Sequence, residues 1–135
     1  MTNGEGQGAE QKYRMALNRG EFLIQRCLHC AKHIFYPREM CPFCGFSTLE
    51  WIKPSGLGFV YSTTVVRKRA DAGGHLNVVL VDLDEGVRVM SRVEKVAPEE
   101  VVIGQRVIGE VRVDDGVGIL VFHLVDRHDM LQVGT

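Results

Sequence analysis

Two Cys-x-x-Cys pairs, Cys27 with Cys30 and Cys41 with Cys44, stand ten residues apart and constrain this chain more than any other feature. A Cys-x-x-Cys turn presents two thiolates to one ion, and its backbone amides can donate to the sulfurs. Two such turns complete a tetrahedral set with sulfurs about 2.3 Å from zinc. The flanking residues suit the turns: Pro42 pre-sets the second, and Gly45 follows it where a positive φ is often needed. A single pair would leave redox chemistry open, whereas the doubled pair favours a metal, with zinc ahead of iron. One ion per chain is expected. With Cys at all four positions no coordination site is left for water or substrate, so the metal should be structural. His29 and His33 lie near the ligands but are read as solvated loop residues.

The N-terminal stretch Met1 to Gln11 is Gly-rich and polar with no apolar core, so no secretory signal is expected there and a cytoplasmic address follows. In that compartment four cysteines point away from disulfides. Apolar stretches such as Val78 to Val81 and Ile119 to Phe122 are too short to span a bilayer.

Residues 1–8 read as a flexible tail and 9–20 as a helix, with Tyr13, Ala16 and Leu17 at i, i+3 and i+4 and Gly20 as the C-terminal cap. A helix of this length is marginal by itself and must dock, on the metal module or on another protein. Phe22 to Gln25 reads as a short strand into the first Cys pair. The zinc ribbon is expected over 21–50, a β domain over 51–127 and a C-terminal tail over 128–135. In the β domain, Leu57 to Arg67 is a strand with Leu57, Phe59, Tyr61, Thr63 and Val65 on one face. Leu76 to Asp84 and Val87 to Val93 form a hairpin across Asp84-Glu85-Gly86, and Gln105 to Val113 and Val117 to Val125 form another around Asp114-Asp115-Gly116. Between the hairpins, Pro98 followed by Glu99 and Glu100 suits a short helical turn. Five strands with a short helical connection after the third describe an OB-fold barrel. An SH3-like barrel is the alternative, but its short turn usually lies before the last strand. The chain should therefore be mainly β: a helix, a zinc ribbon and a five-stranded OB-fold barrel.

Catalytic constellations are scarce. Ser62, Thr63 and Thr64 lie mid-strand without the strained turn of a nucleophile, and no Gly-x-Ser-x-Gly occurs. Asp82 and Asp84 share a strand face beside a Gly turn and read as solvated, and His123 as a core or wall residue. A binding site is more plausible in the loop Arg67, Lys68, Arg69, whose three cations precede Gly73, Gly74 and His75. OB-folds use this loop for ligands, and such cations could grip a phosphate. A nucleic-acid OB module is the rival of a different class. It is disfavoured by a formal net charge of −1 and by few aromatic residues for stacking bases.

The order of motifs carries a resemblance. Leu23-Ile24-Gln25-Arg26-Cys27-x-x-Cys30 is followed by Phe35-Tyr36-Pro37-Arg38-x-x-Cys41-Pro42-x-Cys44-Gly45, Leu49-Glu50-Trp51 and Gly56-x-Gly58-x-Val60-Tyr61-Ser62-x-Thr64-Val65-Val66. With Leu80-Val81-Asp82-Leu83-Asp84-Glu85-Gly86-Val87 and Ile103-Gly104-x-x-Val107, this order resembles the zinc-ribbon/OB-fold proteins catalogued as domain of unknown function thirty-five, over residues 9–126. The resemblance implies a helical N-terminal segment, a rubredoxin-like zinc ribbon held by Cys27, Cys30, Cys41 and Cys44, and an OB-fold. It further implies what is usual of members: they are encoded beside thiolases or related acyl-CoA enzymes and act as their partner subunits, and some bind acyl-CoA or help hold its CoA portion against the catalytic partner. Two positions depart: Ala31 stands where Gly is common, and Arg14 where the helix often has Trp. The expected function is that of a non-catalytic accessory subunit in a hetero-oligomer with a thiolase-like catalytic subunit acting on acyl-CoA. An acyl-CoA hydratase or aldolase is the alternative partner. Arg67, Lys68 and Arg69 are the candidate CoA contacts.

Overall fold

The computed structural model describes residues 8–67, Arg69, Asp71 and 74–125; the tails expected at 1–8 and 128–135 lie outside the described residues apart from Gly8. The elements are α1 (Ala9–Asn18), β1 (Ile24–Cys27), β2 (His33–Ile34), β3 (Leu49–Ile52), β4 (Leu57–Val66), β5 (Leu76–Leu83), β6 (Arg88–Ser91), β7 (Arg106–Asp114) and β8 (Val117–Leu124). They fall into two compact units. The first holds the described residues up to Ser55 with Glu85–Val87 and Val111–Leu120; the second holds the described residues of Gly56–Asp84, Arg88–Glu110 and those from Val121 on.

In the first unit, α1 buries Ala9, Tyr13, Ala16 and Leu17, the face the 3.6-residue period marks out. The Tyr13 ring meets Phe22, Phe35 and Tyr36 edge-to-face at centroid distances of 6.4, 5.5 and 5.9 Å. This packing corrects the first strand: β1 starts at Ile24 rather than at Phe22, because Phe22 is used as a packing ring. Gly20 closes the helix at φ 89°, where its own N–H donates to Leu17 O and the next N–H, from Glu21, reaches Ala16 O, both at 2.9 Å. At the other end no side chain of the N-cap Gly8 is available. Instead Glu39 Oε2 accepts from Ala9 N at 2.7 Å, a carboxylate at the positive end of the helix. Glu39→Ala is therefore expected to cost about 0.5–2 kcal/mol, measured by thermal unfolding.

The ribbon sheet runs β2-β1-β3, all antiparallel, with Arg26 opposite His33 on one side and Glu50 on the other. The short β2 and β3 were not expected from the sequence. Gln25 is buried but fully used: its amide donates to Arg38 O at 2.8 Å and accepts from Arg38 N at 2.7 Å. That pair ties β1 to the chain between the two Cys turns and meets the rule that buried polar groups are bonded. The tip of the β7–β8 hairpin belongs to this unit as well. Gly118 N donates to Asn18 Oδ1 at 2.9 Å, and a Cβ on Gly118 would run into the Leu17 carbonyl.

In the second unit the five-stranded sheet has the order β6-β5-β4-β7-β8, and a parallel bridge between Val93 and Phe122 joins the two ends into a nearly closed barrel. This is the expected OB-fold, with a 3₁₀ turn at Pro98–Glu100 between the third and fourth barrel strands. Val60, Val79, Val81, Val89, Val107, Val121 and Phe122 are its buried core. On β4 the core residue is Val60, so Phe59 and Tyr61 point outward, where Arg88 stacks 3.5 Å from the Tyr61 ring centroid. A bulge between Val60 and Ser62 shifts the register of β4 on β5. Gly58 sits where a Cβ would lie 2.5 Å from Asp82 O, so the β4–β5 pairing there requires glycine. Asn77 is buried and exchanges hydrogen bonds of 2.8 and 2.7 Å with the backbone of Val93, as a strand neighbour would. Among the described residues no helix is long and apolar enough to cross a membrane.

Candidate metal centre

The two Cys turns repeat one backbone design. Ala31 N donates to Cys27 O at 2.9 Å and Gly45 N to Cys41 O at 2.9 Å; both donors are left-handed, at φ 67° and 84°. Each turn is then closed by its second residue outside: Cys27 N to Lys32 O at 3.0 Å, and Cys41 N to Phe46 O at 2.8 Å. The design carries its amides toward the sulfurs. His29 N and Cys30 N point at Cys27 Sγ at 3.4 and 3.5 Å, and Phe43 N at Cys41 Sγ at 3.4 Å. Ala31 holds a conformation that costs an L-residue about 1 kcal/mol and costs glycine almost nothing. Ala31→Gly is expected to stabilise the ribbon by about that amount, seen as a higher chelator concentration at half-unfolding.

The four sulfurs lie within 4.8 Å of one another, with Cys27–Cys44 and Cys30–Cys41 both at 3.6 Å. A zinc–sulfur bond of about 2.3 Å gives a tetrahedral edge of about 3.8 Å. The donor set therefore fits a single tetrahedral ion, and four cysteines are positioned to bind a metal. The electrostatics agree. The Cys30 and His29 amides hold the Cys27 thiol down to about 6. For Cys44 the Phe46 amide also favours the thiolate, but desolvation and the neighbouring sulfurs push it up to about 12. A cation between the four sulfurs would favour all of them as thiolates. Around them Cys27, Ile34 and Cys41 form a buried cluster, with Cys30 and Leu49 packed against it. His29 is exposed and stacks on Phe46 at 4.1 Å, away from a ligand role, and His33 pairs in β2.

The other residues singled out in the sequence are placed as follows. Asp82 and Asp84 are not a carboxylate dyad. Asp82 takes two bonds from Arg88, at 2.6 and 3.2 Å, and Asp84 two from Arg106, at 2.9 and 3.1 Å. The Arg106 pairing holds the Asp84 carboxyl below the usual range. His123 lines the barrel wall and pairs through Nε2 with Glu110 at 2.6 Å. In the basic loop, Arg67 turns back to 3.8 Å from Glu99, which also meets His75 at 3.1 Å, and Arg69 pairs with Asp71 at 3.3 Å. Lys68 lies outside the described residues. Sequence reasoning passed over a groove in the first unit lined by Lys12, Met15, Arg19, Leu23 and Trp51. Its one legible signal was that Trp51 is the only tryptophan of the chain.

Residues 14–50 match the family described as "ChsH2, rubredoxin-like zinc ribbon domain" and residues 51–108 the one described as "ChsH2, C-terminal OB-fold domain". A "DUF35 domain-containing scaffold protein" of Methanocaldococcus jannaschii is 36% identical over 86 residues, covering 61% of this chain and 61% of that protein. A "Probable enoyl-CoA hydratase alpha subunit" of Thermomonospora curvata is 30% identical over 95 residues, covering 69% of this chain and 30% of that one. The chain thus spans less than two thirds of these relatives. Among solved structures, a chain of "Ltp2-ChsH2(DUF35) aldolase" superposes with a TM-score of 0.79 at 25% identity, covering 93% of this chain and all of that one. A protein of unknown function from the DUF35 family of Sulfolobus solfataricus superposes with a TM-score of 0.61 at 13% identity, over 90% of this chain and 88% of that one, which supports the fold.

Proposed function

Because the chain belongs to the ChsH2-type, DUF35 family of zinc-ribbon/OB-fold proteins, we propose that it is a non-catalytic accessory subunit of an enzyme complex acting on acyl-CoA thioesters. The observation that carries this reading is the likeness over 93% of the chain to a chain of a structure named as an aldolase assembly. The relative named as an enoyl-CoA hydratase subunit supports the same substrate class. An aldolase or hydratase partner has support from these two names. A thiolase-type partner, implied by the family resemblance, is the second member of the same class. On this reading Cys27, Cys30, Cys41 and Cys44 hold one structural zinc ion per chain, which fixes the ribbon and leaves the chemistry to the partner.

The purified chain is expected to cleave no CoA thioester by itself, since Ser62, Thr63 and Thr64 lie within β4 without the strained turn of a nucleophile and no Gly-x-Ser-x-Gly occurs. Robust turnover by a preparation shown to be free of the partner would contradict the reading.

Coenzyme A contact is assigned to Arg67, Lys68 and Arg69, whose loop lies at an OB-fold ligand position. Arg67 and Arg69 each already face a carboxylate of the same chain, so CoA phosphates would have to displace Glu99 and Asp71. Replacing both Arg67 and Arg69 with Ala is expected to weaken CoA binding to the complex by about 1–3 kcal/mol in total. Calorimetry with CoA reads that loss, and size exclusion of the same variant reads whether the loop holds the partner enzyme instead. Unchanged CoA affinity in an intact complex would leave the loop a solvated hairpin.

A further inference from the structure

Along one side of α1, Lys12 and Met15, with Arg19 at the C-cap, stand at i, i+3 and i+7, flanking the residues the helix buries. With Leu23 and with Trp51 of β3 they line an open groove of about 320 Å³. Its floor is apolar: Met15 is 42% exposed, and Leu23 and Trp51 are half-buried. Its rim is cationic in a chain whose formal net charge is −1. Three carboxylates of this unit are committed elsewhere: Glu39 caps the helix, Glu10 pairs with Arg14, and Glu50 pairs with Arg26. Lys12 meets no carboxylate among the described residues, and Arg19 has only the exposed Glu21, at 3.1 Å, which an incoming anion can replace. The volume is at the floor of the range for small-molecule pockets, about 300–1,000 Å³, and suits one large side chain. Met, Trp and Arg are also the residue types that concentrate at the centre of protein interfaces.

We propose that this groove is a docking socket for the catalytic partner, receiving one large apolar side chain flanked by carboxylates that pair with Lys12 and Arg19. The assignment rests on the accessory-subunit reading and names the surface through which it operates. Trp51 is the single tryptophan, so the full chain grown on 5-fluorotryptophan carries one fluorine resonance, inside the groove. Saturation with the unlabelled enzyme that co-purifies with the wild-type chain is expected to shift that resonance. The double variant Lys12→Glu/Arg19→Glu is expected to weaken the complex at least tenfold in about 0.1 M salt, with zinc content and the free resonance unchanged. If the charge reversal itself moves the free resonance, Lys12→Ala/Arg19→Ala replaces it, with a loss of at least threefold expected. A resonance that stays in place in a complex shown to be saturated, or variants that bind as the wild type does, would overturn the socket while leaving the accessory reading intact. Failure of the wild-type chain to co-purify with any acyl-CoA enzyme would remove both.

Discussion

Cys41→Ser is expected to lose the metal and unfold the ribbon, the largest effect of any single substitution in this chain. Around the four sulfurs the ribbon has little to hold it: the buried cluster there is Cys27, Ile34 and Cys41, and two of these three are proposed ligands. β2 is two residues long and β1 and β3 four each, far less than an independent sheet needs. Structural zinc contributes about 10–16 kcal/mol of apparent binding energy to peptides of this kind, and that energy is folding energy. In the variant, serine offers a weak ligand, while Phe43 N loses its sulfur acceptor and the remaining thiols lose the ion that permits them to ionise together. The second unit has its own valine-rich core around Phe122 and is expected to stay folded. The measurement is zinc per chain by elemental analysis together with backbone amide exchange: protection should vanish from β1 and β3 and persist in β4, β5 and β7. Freshly purified wild-type protein with less than about half an equivalent of zinc plus iron would contradict the assignment. Zinc retained at one equivalent in Cys41→Ser would do so equally.

Gly118→Val is expected to be the next most damaging change. Gly118 is buried on β8 with its N–H on Asn18 Oδ1, and the Leu17 carbonyl occupies the place a Cβ would take. The obstacle is backbone rather than the end of a flexible side chain, so the hairpin tip and the end of α1 must part. Overpacking of this kind typically costs about 1–3 kcal/mol, and here the Gly118–Asn18 bond is lost as well. Asn18→Ala removes only that bond and is expected to cost about 1 kcal/mol. Thermal unfolding of the two variants separates the steric part from the hydrogen bond; equal losses would show that the close approach contributes nothing.

The barrel and the metal site were legible for different reasons. The metal site depends on spacing alone, since Cys27, Cys30, Cys41 and Cys44 can meet only through two tight turns. Hairpins announce themselves through turn chemistry, and Gly86 at φ 96° and Asp115-Gly116 at φ 55° and 76° are where the sequence put them. β2 and β3 were missed because short strands carry no period; they exist through pairing to β1 and through the turns that the metal ligands impose. The helix was readable from Tyr13, Ala16 and Leu17, but its N-terminal cap was not. Glu39 stands 30 positions away and reaches Ala9 only after the chain between the Cys turns is folded. The acidic pair Asp82 and Asp84 shows the same limit. Their partners Arg88 and Arg106 come from other strands, β6 and β7, so the sequence alone displayed two carboxylates where the fold holds two ion pairs.

The central claim is that this chain works as a subunit, and reconstitution of activity tests it most directly. A candidate aldolase-, hydratase- or thiolase-type partner enzyme would be produced with and without this chain. Size exclusion and acyl-CoA turnover would then be measured on both preparations. The account predicts one hetero-oligomer containing zinc, with turnover that is absent or much reduced when this chain is left out and restored when the purified chain is added back. An enzyme that elutes apart from this chain and turns over equally well without it would contradict the account.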